Sequence, residues 1–178
     1  VKAFAYEEIV DAIELRGVLE GTAARLAAER LGRRDELSVI RACTARLDAV
    51  VHGPDGALGR FSDYVGLNER FHRLLLDLAK STALVRAMEK VVTLPFASPT
   101  AFLSAHATLP RSREILVIAQ EHHRAIVEAI GSRERARAEA LAREHARIAR
   151  RNLDIVREDQ RLIDALPGGA LMRLRDAG

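Results

Sequence analysis

Between residues 6 and 31 the apolar side chains of Ile9, Ala12, Ile13, Leu19, Ala23, Leu26 and Ala27 return at helical spacing. A stretch of that length buries its stripe as one long amphipathic helix laid against others. Glu7 and Glu8 fall in its first turn, where they complement the helix dipole. Gly17 and Gly21 lie inside it, each costing up to about 1 kcal/mol of helix propensity relative to alanine, so the spacing predicts the close approach of another backbone there. Arg16 and Glu20 sit on or beside the apolar stripe, where a charge must be paired or bound to something. Two readings stand open: an Arg16–Glu20 pair one turn apart, or Arg16 as the receptor of an anionic ligand.

Turn residues divide the rest of the chain. Gly32 stops the first helix, and Asp35 is the expected cap of a second that runs to about Val51 with Leu37, Ile40, Cys43, Leu47 and Val50 on one side. Cys43 on that side reads as a small buried hydrophobe. Gly53, Pro54 and Gly56 mark a surface turn that leaves His52 exposed. Ser62 and Asp63 are the expected caps of a third helix to about Lys80, and Ser81 caps a fourth over 82–92. Pro95, Pro99 and Pro110 punctuate an irregular segment, 93–111, with His106 at the surface. Ser112 opens an apolar helix through Ile130, Gly131 and Ser132 break it, and one very long helix is expected over 133–166, ended by Pro167, Gly168 and Gly169. The division is then residues 1–5 as a linker remnant, 6–166 as a single bundle and 167–178 as a short basic tail.

Composition agrees with an all-α class: aromatics are 4%, tryptophan is absent, and the chain of 178 residues suits one domain. Lys+Arg 28 against Asp+Glu 25 leaves a net charge of +3. The signs are interspersed, and Glu134, Glu139 and Glu144 precede arginines by three or four residues, which describes a solvated helix face laced with ion pairs rather than a nucleic-acid surface. A lone cysteine forms no internal disulfide, and no apolar run approaches membrane-spanning length, so a cytoplasmic protein without a membrane partner is expected.

The chemistry gathers on histidines. Asn68 and His72 are four residues apart on one helix face, flanked by Val65, Leu75 and Leu76, so both point towards the interior. His145 lies on the stripe of Ala138, Leu141, Ala142, Ile148 and Ala149. His122 lies with Ile115, Ile118, Ala119 and Ile126, and His123 with Leu116, Val127 and Ile130, so periodicity alone does not choose between them. A lone core histidine is most often a hydrogen-bonded structural residue. Three converging neutral imidazoles and an amide oxygen instead suit a divalent transition metal, zinc first, with nickel, copper, iron or manganese as other candidates. None of those ligands cancels the ion's charge, so a small carboxylate bridging the metal and Arg16 is the expected companion.

Three stretches resemble the FCD domain of the FadR subfamily of GntR-type bacterial transcription regulators: Ile13 to Glu20 with the alanine-rich turns that follow, Asn68 to His72, and Glu121 to Ile130 with His145 fifteen residues on. The resemblance implies an antiparallel bundle of about six to seven helices that binds a small organic acid and forms a homodimer. It implies metal ligation by Asn68, His72, His123 and His145, choosing His123 over His122, with Arg16 and Glu20 at the ligand. Asn68 departs from the aspartate more common there. Regulators of this kind read DNA through an N-terminal winged helix-turn-helix, which the resemblance places outside this chain. The expected role is a sensor domain and not an enzyme. A helical-bundle metalloenzyme is the alternative, since Glu69-x-x-His72 has the form used in di-iron bundles, but Gln120 and Ala142 stand where second copies would need glutamate. A structural adaptor with satisfied core histidines is the third reading.

Overall fold

The structure, a computed structural model, describes residues 3–53, 61–103 and 112–173. Seven α-helices lie among the described residues: α1 (Tyr6–Arg30), α2 (Ser38–Val51), α3 (Phe61–Leu78), α4 (Thr82–Val91), α5 (Ser112–Gly131), α6 (Arg135–Glu158) and α7 (Gln160–Ala165). Two 3-10 turns, Arg34–Leu37 and Gly169–Leu171, complete them. The chain is therefore an all-α helical bundle. Two residues at each end, β1 (Phe4–Ala5) and β2 (Met172–Arg173), pair in parallel, a clasp too short for hydrophobic alternation to announce.

Helix α1 packs against α3, α4, α5 and α6. Its two glycines do what their cost implied. A Cβ added at Gly17 would stand 3.0 Å from the Cβ of Ala146, and one at Gly21 would stand 2.5 Å from Cγ of Arg143 and 3.1 Å from the Glu139 carbonyl. Because 17 faces 146 and 21 faces 139 and 143, α1 and α6 run antiparallel. Helices α2 and α5 are also antiparallel, with Leu37 beside Gly131 and Asp48 bonded to Gln120 and Arg124. Helices α1 and α3 run parallel, because Glu20 meets His72 while Arg30 donates to the carbonyls of Ala79 and Lys80 further along both.

Two large apolar clusters and a small one of Ala12, Val91 and Ala97 hold these helices. The largest joins Ala23, Ala24, Ala27 and Ala28 of α1 to Leu37, Ile40 and Leu47, to Phe71 and Leu75 of α3, and to Leu116, Ile126 and Ile130 of α5. The second packs Ile9 and Ile13 against Phe102, Leu153, Val156, Leu162, Ile163 and Leu166. Cys43 is buried in the first and His52 is exposed, as expected. Ser81 caps α4, its hydroxyl accepting from the Leu84 N–H at 3.4 Å.

Three boundaries differ from expectation. Asp35 does not cap α2: it lies within the 3-10 turn, where Arg33 holds its carboxylate, and Glu36 takes the Gly32 and Arg33 N–H groups instead. Helix α3 begins at Phe61, so Ser62 and Asp63 lie in its first turn, past the capping position, with Asp63 still facing the dipole. The long helix breaks at Asp159, whose extended backbone and side chain, accepting the Arg161 N–H at 2.9 Å, end α6 and cap α7. That break swings Leu162 and Ile163 back over α1. Pro54, Gly56, His106 and Pro110 lie outside the described residues.

Crowding at one glycine and open space at another predict opposite effects of substitution. Gly17→Leu forces the helices apart and lowers unfolding free energy by about 1–3 kcal/mol. Gly66→Ala, exposed in α3 with nothing within 4 Å of the new methyl, raises it by up to about 1 kcal/mol. Urea denaturation measures both, and a stabilised Gly17→Leu variant would contradict the packing.

Candidate metal centre

Helix α3 carries Tyr64, Asn68 and His72 at four-residue steps, and all three are buried. Helix α5 contributes His123, α6 contributes His145, and α1 contributes Arg16 and Glu20; each is at most 7% exposed. The bundle thus brings together every residue singled out as a candidate ligand or anion contact. His122, the alternative to His123, is half-buried beside His145, with ring centroids 5.9 Å apart.

One nitrogen from each of His72, His123 and His145 lies within 4.8 Å of the others. The Nε2 atoms of His123 and His145 are 3.1 Å apart. Nitrogens sharing one ion at a typical bond length stand roughly 3.3 Å apart, so this pair already has ligating geometry. Asn68 lines the same cavity as His72 and His145.

The charges are organised around Glu20. Arg16 donates from one guanidinium nitrogen to both Glu20 carboxylate oxygens, at 3.0 and 3.1 Å. The paired reading of these residues therefore holds, and a second partner joins them: His72 Nδ1 stands 2.8 Å from Glu20 Oε1. That approach is at ion-pair distance. Burial alone would raise the Glu20 pKa, yet Arg16 and His72 hold it far below the usual carboxylate range. Glu20 is not one of the expected metal ligands, but its carboxylate stands beside one of them while paired with Arg16. Arg16 keeps a free contact as well, since its Nε is buried without a partner.

Burial, then the charges of His72 and His122, pushes the His123 pKa well below 6.5. Burial, then His123 and His72, does the same at His145, with Glu20 partly opposing. Both rings are thus neutral near pH 7, the form in which imidazole ligates. A small cavity, about 40 Å³, adjoins them, lined among others by Arg16, Asn68, Tyr64, Asn152, Pro99 and Phe102. Buried polar atoms without partners collect at its walls: Arg16 Nε, His145 Nδ1 and Asn152 Oδ1. Each leaves a cost that a bound polar species would relieve. The donor set therefore fits a divalent transition metal. A larger hollow of about 390 Å³ reaches His72 and Glu20 from the side of α3 and α4.

Two lining residues escaped the sequence reading although their signal was present. Tyr64 is four residues before Asn68, and Asn152 is seven after His145, so each shares its ligand's face. Glu69, by contrast, is exposed and paired with Arg73 at 3.2 Å, which removes the Glu-x-x-His arrangement from the site.

Compared with known families, residues 11–148 match the model described as FCD domain. A comparison with curated proteins found no match.

The buried titrations give the metal-free protein a signed acid response. The folded pKa values of His123 and His145 lie below the ordinary 6.5, so as pH falls the unfolded chain takes up protons first. Their stability contribution is complete above about pH 6.5 and is lost as pH falls through the folded values. Glu20, with a folded pKa below the ordinary 4.5, adds a further loss below that pH. The urea midpoint of chelator-treated protein is expected to fall between about pH 6.5 and 5; a midpoint that rises over this range contradicts the assignment.

Proposed function

The chain belongs to the FCD domain family, the effector-binding part of GntR-type transcription regulators, and we propose that it senses a small organic acid beside a histidine-held divalent metal. The observation that supports this most directly is the convergence of the three buried imidazoles beside a cavity walled by Arg16 and Asn68. His72, His123 and His145 are the nitrogen ligands in this reading, and Asn68 adds a neutral amide oxygen. Zinc suits that set best, with nickel, iron or manganese as competitors. Bound there, the ion supplies a positive charge that attracts a carboxylate.

Arg16 is the second anchor. Its bond to Glu20 fixes the guanidinium while Nε stays unpaired, so an acid gains a charge-assisted partner without breaking the pair. The 40 Å³ cavity holds little more than a water or two. An acid therefore enters by displacing wall residues such as Pro99 and Phe102, and ties α1, α3 and α6 together. Binding shifts the protein between arrangements only by its differential affinity for them. We place the output in a homodimer whose DNA-reading heads lie outside the described bundle, in the cytoplasm. The bundle spans residues 6–166 in this reading, with 1–5 as linker and 167–178 as tail. FCD domains belong to regulators that are generally not enzymes, and no described helix is long and apolar enough to cross a membrane.

Elemental analysis and calorimetry test the proposal. Wild-type protein is expected to hold about one metal per chain and to gain about 2.7 kcal/mol of stability at 100-fold excess over Kd. His72→Ala or His145→Ala removes that metal and weakens binding of acetate by tenfold or more, about 1.4 kcal/mol. Variants that retain both metal and acid refute it.

A further inference from the structure

We propose that Gln120 is the positioning residue of this centre: from its place between α5 and α2 it fixes the tautomer of His123 and so decides which ring nitrogen a ligand meets. The side chain is fully buried. Its Nε2 lies 3.0 Å from the carbonyl oxygen of Thr44 and 2.7 Å from Asp48 Oδ1. Both neighbours accept here: the carbonyl has no proton to give, and Arg124 donates to the Asp48 carboxylate, from Nε to Oδ2 at 3.1 Å, and approaches Oδ1 at 2.7 Å. Flipping the amide would set its oxygen against a carbonyl and a carboxylate. The NH₂ group therefore faces α2, and Oε1 faces His123.

Oε1 lies 3.0 Å from His123 Nδ1. An amide oxygen accepts, so Nδ1 carries the proton. A neutral imidazole has one N–H, so Nε2 keeps its lone pair and presents it to His145 Nε2, 3.1 Å away. His145 must then carry its own proton on Nε2 in the ion-free protein, and the two rings are not equivalent. His123 is already in the ligating tautomer, whereas His145 has to move its proton to Nδ1 before it ligates. The chain of groups Arg124, Asp48, Gln120 and His123 runs from the surface to the centre, each link setting the polarity of the next. Such supports typically change metal affinity by about 10–100-fold.

The purpose of this arrangement rests on the metal reading, but the tautomer does not. ¹H–¹⁵N spectra of the chelator-treated chain, labelled at histidine and held near pH 8, are expected to show a protonated Nδ1 and a bare Nε2 at His123, with the reverse at His145. Gln120→Met keeps the length of the side chain without the amide. It is expected to erase the His123 preference and weaken Zn²⁺ binding by about 10–100-fold, with the circular dichroism spectrum unchanged. If the methionine variant folds poorly, the ion-free spectrum of the wild type still decides whether Nδ1 of His123 carries the proton. A His123 ring protonated at Nε2 in wild type overturns the proposal, as does a folded methionine variant with unchanged tautomer and Zn²⁺ affinity. A wild-type chain that binds no Zn²⁺ contradicts the metal reading alone, because the ion-free spectrum still decides the tautomer.

Discussion

The distance between α1 and α6 governs everything at the centre of this bundle. Gly17 and Gly21 remove the side chains that would hold the two backbones apart, and Ala146 answers from the other side. The polar residues are neighbours of those contacts in sequence: Arg16 and Glu20 each precede one of the glycines, and His145 precedes Ala146. Close packing of small residues thus sets the separation of charged and ligating groups that never touch the packing surface themselves. Propensity lost at two helical glycines is exchanged for placement.

An apolar seam would have been the simpler way to join these helices. A buried ion pair repays its desolvation only with good geometry and further hydrogen bonds. Here Arg16 and Glu20 have the geometry, but several polar atoms around them lack partners. The helices tolerate this because two large apolar clusters lie on either side, with Leu116 of one and Phe102 of the other both reaching the cavity wall. The incompleteness marks a site suited to something polar rather than a core assembled for stability alone.

Much of this was legible in the sequence because it is local. The step from Asn68 to His72, the glycine pair in α1, the Ser81 cap and the buried Cys43 each follow from helical periodicity or from one turn of backbone. Inward placement of His145 follows from its stripe. What escaped the reading depends on contacts between segments. Gln120 looked like a failed glutamate position until Thr44 and Asp48 stood opposite it. Asp159 broke a helix that periodicity carried through, because its side chain competes for a backbone N–H. Asp35 falls inside a 3-10 turn that periodicity does not announce, so α2 starts at Ser38 with Leu37 at its N-cap and no side-chain cap bond. Periodicity left His122 and His123 undecided, since both rings lie on apolar flanks of α5; the resemblance chose His123, and His123 is the one the packing buries fully.

The parallel pairing of Phe4–Ala5 with Met172–Arg173 has a mechanical side. Tension applied between the two strands' outer ends pulls them in opposite directions along a shared axis. The bonds of the ladder are then sheared together rather than peeled one at a time, so a tug arriving ahead of α1 is borne partly by the far end of the chain before it reaches the first helix.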